Sequence, residues 1–169
     1  MMSHASATFE RYSDDIHKAM RIANREAKWH RHAAIHPLHI LIAVVREPTG
    51  LGGILLRSKG LDVQRVRAAV RTVLRRGGEW RIFGKIPTHE RLDEVINRAV
   101  EHAMSERHDA VGTGGILLAM LRHDTTTIST LSSLGLVVDS FKAELHQYLH
   151  RLMVEAPDQV LSLDQAQKS

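Results

Sequence analysis

Residues 36–47, HPLHILIAVVRE, and residues 112–123, GTGGILLAMLRH, are two versions of one segment set 76 positions apart. Ile40, Leu41, Ile42 and Ala43 fall on Ile116, Leu117, Leu118 and Ala119, and Arg46 falls on Arg122. Backwards at that offset, His32 meets His108, Ala27 meets Ala103, Ala23 meets Ala99 and Ile16 meets Leu92. Forwards, Lys59, Gly60 and Leu61 meet Leu134, Gly135 and Leu136 at an offset of 75, so the intervening loop is one residue shorter in the second copy. Val66, Val70 and Leu74 then match Phe141, Leu145 and Leu149. A tandem duplication on this scale means two copies of one supersecondary unit, and it constrains the fold more than composition does.

Each copy carries helical periodicity. Ile16, Ala19, Met20, Ala23 and Ala27 recur at three- and four-residue steps, one face of an amphipathic helix. Ser13 stands where an N-cap is needed, and Asp14 and Asp15 fall in the first turn, where carboxylates favour the helix dipole. Pro37 suits the first position of a second helix over 37–46, because its missing N–H costs nothing there. That helix is apolar nearly all round and is expected to be buried. A third helix is expected over 51–58, stopped by Gly60 in a left-handed C-cap conformation. Asp62 caps a fourth over 63–76, with Val63, Val66, Val70, Val73 and Leu74 as its core face. The second copy repeats the plan from Thr88 to about Leu152, after a glycine-rich polar linker, GGEWRIFG, at 77–84. No strand pattern with a turn signal appears. The expected fold class is all-α, a tandem duplication of a four-helix unit.

The bulk properties exclude some classes. A chain of 169 residues with 43% hydrophobic and 25% charged residues can bury a core and is not compositionally disordered. No apolar run approaches the ~20 residues that span a bilayer, so no membrane partner is expected. The opening Met-Met-Ser-His-Ala-Ser-Ala lacks the apolar core of a secretory signal. With no cysteine, disulfides and thiolate chemistry are excluded, and a cytoplasmic location is expected. The net charge of +4 comes mostly from arginine and raises the prospect of an acidic partner.

The segment FERYSDDIHKAMRIANREA at 9–27 resembles the opening of the Clp N-terminal repeat domain, which stands at the front of the ClpA and ClpC unfoldase ATPases. That family's second helix opens with Gly-Thr-Glu-His, an Ile/Leu pair and a small residue. Here the positions read His36, Pro37, Leu38, His39, Ile40, Leu41 and Gly112, Thr113, Gly114, Gly115, Ile116, Leu117. Gly84, Lys85, Ile86 and Pro87 are similar to the family's lead into its second copy. The resemblance implies eight helices in two pseudo-twofold-related units. The chain then divides into an N-terminal segment 1–8, a first repeat 9–76, a linker 77–87, a second repeat 88–152 and a tail 153–169, with 9–152 as one compact domain. A free-standing member is expected rather than an excised one. No ATPase is implied, because GxxxxGK[ST] is absent from the sequence.

The implied role is non-enzymatic. It is protein docking for a ring unfoldase, with an adaptor, a substrate or a Clp ATPase or peptidase component as partner, no cofactor, and the chain itself a monomer. The resemblance points to Phe9, Tyr12, Pro37, Leu38, Lys85, Thr88, Thr113 and Gly114 as candidate partner-binding residues. In ClpC-type members the glutamate of Gly-Thr-Glu-His receives a phosphorylated arginine. Leu38 and Gly114 occupy that position here and offer no carboxylate, so that recognition is not expected. Phe9 keeps the family's opening aromatic, whereas Thr88 stands where the second copy usually carries one.

Two clusters remain. His30, His32, His36 and His39 lie within ten positions, and His36 and His39 have the i, i+3 spacing of paired metal ligands. The second copy has Gly112 and Gly115 where His36 and His39 stand, so structural histidines are expected ahead of a weak metal site. Arg67, Arg71 and Arg75 step by four along the fourth helix. They read as a solvated face, or else as a basic patch for nucleic acid or another acidic partner, the alternative to Clp docking. No nucleophile elbow, HExxH or paired-acid pattern groups the remaining chemistry-bearing residues.

Overall fold

The structure, a computed structural model, describes residues 12–75 and 86–155. Phe9, Lys85, the glycine-rich segment 77–84 and most of the tail lie outside the described residues. Among the described residues there are eight α-helices: α1 (Asp14–Trp29), α2 (Pro37–Arg46), α3 (Leu51–Ser58), α4 (Val63–Val73), α5 (Glu90–Ser105), α6 (Thr113–His123), α7 (Thr125–Ser133) and α8 (Val138–Glu155). The first four and the last four are the two copies.

The two helices that are apolar all round sit at the centre. Every residue of α2 from Pro37 to Val45 is buried. In α6, Thr113, Gly114 and Ile116 through Leu121 are buried. The eight residues Ile40, Leu41, Ala43, Val44, Ile116, Leu117, Ala119 and Met120 all belong to this core. Helix α1 lays its Ile16, Ala19, Ala23 and Ala27 stripe on α2, and α5 lays Leu92, Val95, Ala99 and Ala103 on α6. Both outer helices end alike. Arg31 and Arg107 each take φ 57°, and the next N–H returns to the helix, His32 to Ala27 O at 2.9 Å and His108 to Ala103 O at 2.7 Å.

Backbone pairing crosses between the copies. Tyr12 bridges to Val111, and Thr88 bridges to Ile35, both in parallel sense. The offset of 76 converts one bridge into the other. The hydrogen bonds exchange too, Ser13 N–H to Val111 O at 3.0 Å and His89 N–H to Ile35 O at 2.9 Å. This exchange is what a two-fold relation between the copies requires. The two bridges are the only strand-like features among the described residues.

Several local expectations are corrected. Ser13 Oγ does not cap α1; its one hydrogen lies between two acceptors, the Asp15 carboxylate and Val111 O, tying the entry of α1 to the second copy. Helix α4 ends at Val73, short of residue 76, because Leu74 turns extended and the Arg75 carbonyl is taken by His32. Val66 and Val70 are buried, but Val73 is 44% exposed, one turn past the edge of the core. No single helix among the described residues is long and apolar enough to cross a membrane.

Helix α3 depends on backbone approach. It meets α2 at 80°, and a Cβ on Gly53 would stand 2.2 Å from the Val44 carbonyl oxygen. A Cβ on Gly52 would stand 2.8 Å from the Thr113 carbonyl oxygen of the second copy. Alanine at position 53 should gain about 1 kcal/mol in helix propensity. Overpacking against rigid backbone costs more, so Gly53→Ala is expected to destabilise the protein by about 1–3 kcal/mol. Urea denaturation with an unchanged m-value is the check.

Candidate functional site

The crossed bridges place the opening of each central helix beside the opening of the opposite copy's outer helix. At one junction α2 begins next to Thr88 and His89. At the other α6 begins next to Tyr12 and Ser13. Asp15 of α1 accepts the Thr113 backbone N–H through Oδ2 at 2.9 Å, so a carboxylate from one copy sits on the N-terminus of the other copy's central helix. The two junctions adjoin. Tyr12 is half-buried, and its phenol is pushed up by burial and then by the nearby charge of Asp93. Asp93 in turn accepts from Thr88 Oγ1.

The α2 junction is built from imidazoles. The His36 backbone N–H donates to His39 Nδ1 at 2.9 Å, so that nitrogen carries no proton and Nε2 carries the ring hydrogen. His39 Nε2 lies 2.7 Å from His32 Nδ1, and His32 Nε2 lies 2.8 Å from the Arg75 carbonyl oxygen. The tautomers follow. His39 donates to His32, and His32 donates to Arg75, joining the start of α2 to the chain leaving α4. The His36 ring stacks on His89 with centroids 4.4 Å apart. Burial pushes His39 down to about 3, helped by His32, His36 and His30. His36 falls to about 4, through burial, then His89, His32 and Arg91, with Asp124 opposing. His39 therefore enters the relay as a neutral ring, and the relay occupies both nitrogens of His32 and His39. Among the described residues no group of three or more His, Cys, Asp or Glu has the geometry to hold a metal ion.

The arginine row divides. Arg67 is drawn inward, donating through Nε at 3.1 Å and Nη2 at 2.6 Å to the two oxygens of Glu26, which is 1% exposed. Arg46 approaches the same carboxylate at 3.4 Å, and the Arg67 guanidinium lies 5.8 Å from the Trp29 ring centroid. Arg67 is thus part of a buried ion pair, while Arg71 and Arg75 remain exposed. Glu26 was legible as an anomaly, an acid on the buried alanine stripe of α1. A buried carboxylate requires a cation, and the four-residue spacing of the arginines did not reveal which one would turn in.

The candidate partner-binding residues fall into two groups. Tyr12 and Thr88 lie half-buried on the face where the two junctions meet. Pro37, Leu38, Thr113 and Gly114 are buried, Leu38 to 1% exposure, and offer no surface to a partner as the helices stand. The reason is packing. Leu38 joins the core cluster, and a Cβ on Gly114 would stand 3.0 Å from Leu149 Cδ2 and 3.3 Å from Leu51 Cδ2. Sequence reasoning missed His89, which completes the imidazole stack, and Asp93, which holds Thr88. Neither sits in a motif, and only the crossing of the copies brings them to the site.

The profile of the Clp repeat (R) N-terminal domain matches residues 11–132 and 87–168. The chain belongs to the Clp repeat N-terminal domain family. It is 28% identical over 142 residues to the ATP-dependent Clp protease ATP-binding subunit ClpA homolog of Porphyra purpurea, covering 83% of this chain and 17% of that protein. The chain therefore corresponds to a small part of the relative's length. Its fold is that of the N-terminal domain of the ClpD chaperone of Arabidopsis thaliana, with TM-score 0.71, 19% identity, and coverage of 84% of this chain and 96% of that one. The ClpV N-domain solved with a VipB peptide superposes with TM-score 0.64 at 18% identity, over 84% and 89% of the two chains.

Two outcomes test this site. A histidine held below its ordinary value adds stability that is complete above about pH 6.5 and is lost as the unfolded chain takes up protons below it. From His39 alone the loss should reach about 2 kcal/mol by pH 5, read from denaturation midpoints across pH. His39→Gln, which keeps a neutral amide in the relay, should remove that share of the limb and leave the share that comes from His36. Leu38→Glu places an unpaired carboxylate in the core and should cost about 3–5 kcal/mol at pH 7, less as the pH falls and the group protonates.

Proposed function

We propose that this chain is a protein-docking module of the Clp unfoldase–protease system, receiving an adaptor, substrate or regulatory partner, and that it carries out no catalysis of its own. The observation that carries this reading is the match of the family profile across both copies, from residue 11 to residue 168. The ClpV N-domain bound to a VipB peptide supports peptide capture as something this fold is able to do. The docking face assigned here is the meeting of the two junctions around Tyr12, Thr88 and Asp93. It is half-buried and polar, and it joins both copies. The alternative, nucleic acid on the arginines of α4, loses support because Arg67 is committed to Glu26.

Phosphoarginine is not the ligand in this reading. A guanidinium brought to the start of α2 or α6 meets buried hydrocarbon or a glycine backbone, and an unmet buried donor costs about 1–3 kcal/mol. Calorimetric titration with phosphoarginine should show no saturable heat beyond that of a phosphoserine control. Saturable, selective binding would mean that other residues supply the missing carboxylates. The docking role itself is tested by affinity capture from native cell extract on the immobilised chain, with a charge-matched helical protein as control. Enrichment of a Clp ATPase or peptidase subunit, reduced in a Tyr12→Ala Thr88→Ala variant, is expected. Equal recovery on both supports overturns the proposal.

A further inference from the structure

The outer face of α1 takes no part in the junctions or the imidazole relay. Lys18, Arg21 and Arg25 are exposed on it and Lys28 partly so, at steps of three, four and three that align them in one stripe. None of the four forms an ion pair with a described residue. At the end of the stripe stands Trp29, 69% exposed, a large apolar surface beside the Arg67 guanidinium. Four like charges along one helix repel each other, so the face is stabilised by an acidic occupant.

The chain contains such an occupant. Helix α5 is the equivalent of α1, has the same length of 16 residues, and exposes Glu90, Asp93, Glu94 and Glu101, with Arg98 among them 3.5 Å from Glu101, so the face keeps a net negative charge. Lys18 corresponds to Glu94 and Arg25 to Glu101 at the offset of 76, so the duplication has reversed the charge at equivalent positions. Between these acids runs a shallow depression of about 410 Å³, lined by Glu90, Asp93, Glu94, Asn97, Arg98 and Glu101. Within one molecule the two faces are carried on different central helices, α1 on α2 and α5 on α6.

We propose that the basic face of α1 docks onto the acidic face of α5 in a second copy of this chain. Matched helix length and opposite sign favour this occupant over nucleic acid, which the α5 face of the same molecule would repel. The contact is heterologous, so each copy added leaves one free face of each sign and short open oligomers grow unless the rotation closes a ring. Exposed ion pairs are individually weak and screened, so the association belongs to low ionic strength and replaces the monomer expected from the sequence only there.

The test is sedimentation of the full 169-residue protein over a concentration series. In about 20 mM salt the weight-average mass should climb with concentration to at least about twice the monomer value, and it should return to monomer in about 0.5 M salt. Arg21→Glu plus Arg25→Glu should remain monomeric in both, as should Glu94→Lys plus Glu101→Lys. Mixed in equal amounts at low salt, these two variants should associate one to one, because the first keeps its acidic α5 face and the second keeps its basic α1 face. Circular dichroism confirms that each is folded, and Arg21→Gln plus Arg25→Gln replaces the first if it is not. A wild-type protein that stays monomeric at low salt overturns the proposal, as does a mixture that fails to associate. Steep salt-dependent binding of an oligonucleotide without self-association would assign the α1 face to nucleic acid instead. The α5 face shares Asp93 with the Clp docking face, but these variants leave Tyr12, Thr88 and Asp93 unchanged, so a failure of self-association does not count against Clp docking.

Discussion

A helix that is apolar on every side has to be surrounded, and α2 buries nine consecutive residues. One four-helix unit cannot enclose it. Helix α1 covers one side and α3 and α4 cover two more, and the remaining contacts come from α5, α6 and α7 of the second copy. Helix α6 has the same need and meets it through α1, α2 and α3 of the first copy. Each copy is therefore incomplete alone, and the duplication is the condition for a closed core. The crossed backbone bridges follow from it, since the segments entering the two central helices have to pass each other to reach the middle.

Enclosure at that depth leaves polar groups that need partners. Glu47, 1% exposed, accepts from Thr49 and from the Gly50 N–H at the start of α3. Asp124, 2% exposed, accepts from Thr127 at the start of α7 and from Arg91 of α5. Both are buried carboxylates on helix N-termini, where orphan N–H groups and the dipole stabilise negative charge. The imidazole relay solves the same problem for α2, whose first turn carries no acid. A neutral ring accepts the His36 N–H and passes its own donor outward until a backbone carbonyl takes it. The second copy does this differently, with Asp15 on the Thr113 N–H. Two equivalent junctions thus have different chemistry, one neutral and one acidic, and a face that spans both presents a partner with an asymmetric surface on a symmetric frame.

The duplication, the helix boundaries of α2 and α3, the Asp62 cap and the burial of the paired Ile/Leu segments were legible because each depends on local pattern. Periodicity, proline and glycine act within a turn or two of where they stand. The candidate partner residues were less legible. Leu38 and Gly114 were read as ligand positions by their place in a resembling motif, and both are packed into the core, Leu38 within the hydrophobic cluster and Gly114 against Leu149 and Leu51. Arg67 kept the spacing of a solvated row yet turned inward, because Glu26, more than forty positions away in sequence, needed a counter-charge. Distance along the chain hides such a pairing completely.

What the sequence determined by itself is the unit and its repetition: four helices, written twice, with two central segments too apolar to meet water. Periodicity and a fixed offset are properties of the chain and survive without coordinates. What only the tertiary structure decided is which copy serves which. Tyr12 belongs with Val111, Thr88 with Ile35, His36 with His89, and Asp15 with the Thr113 N–H. Those assignments depend on the crossing of the two copies, and the crossing is set by the burial of α2 and α6 together, a demand of the whole core that no local run of residues expresses.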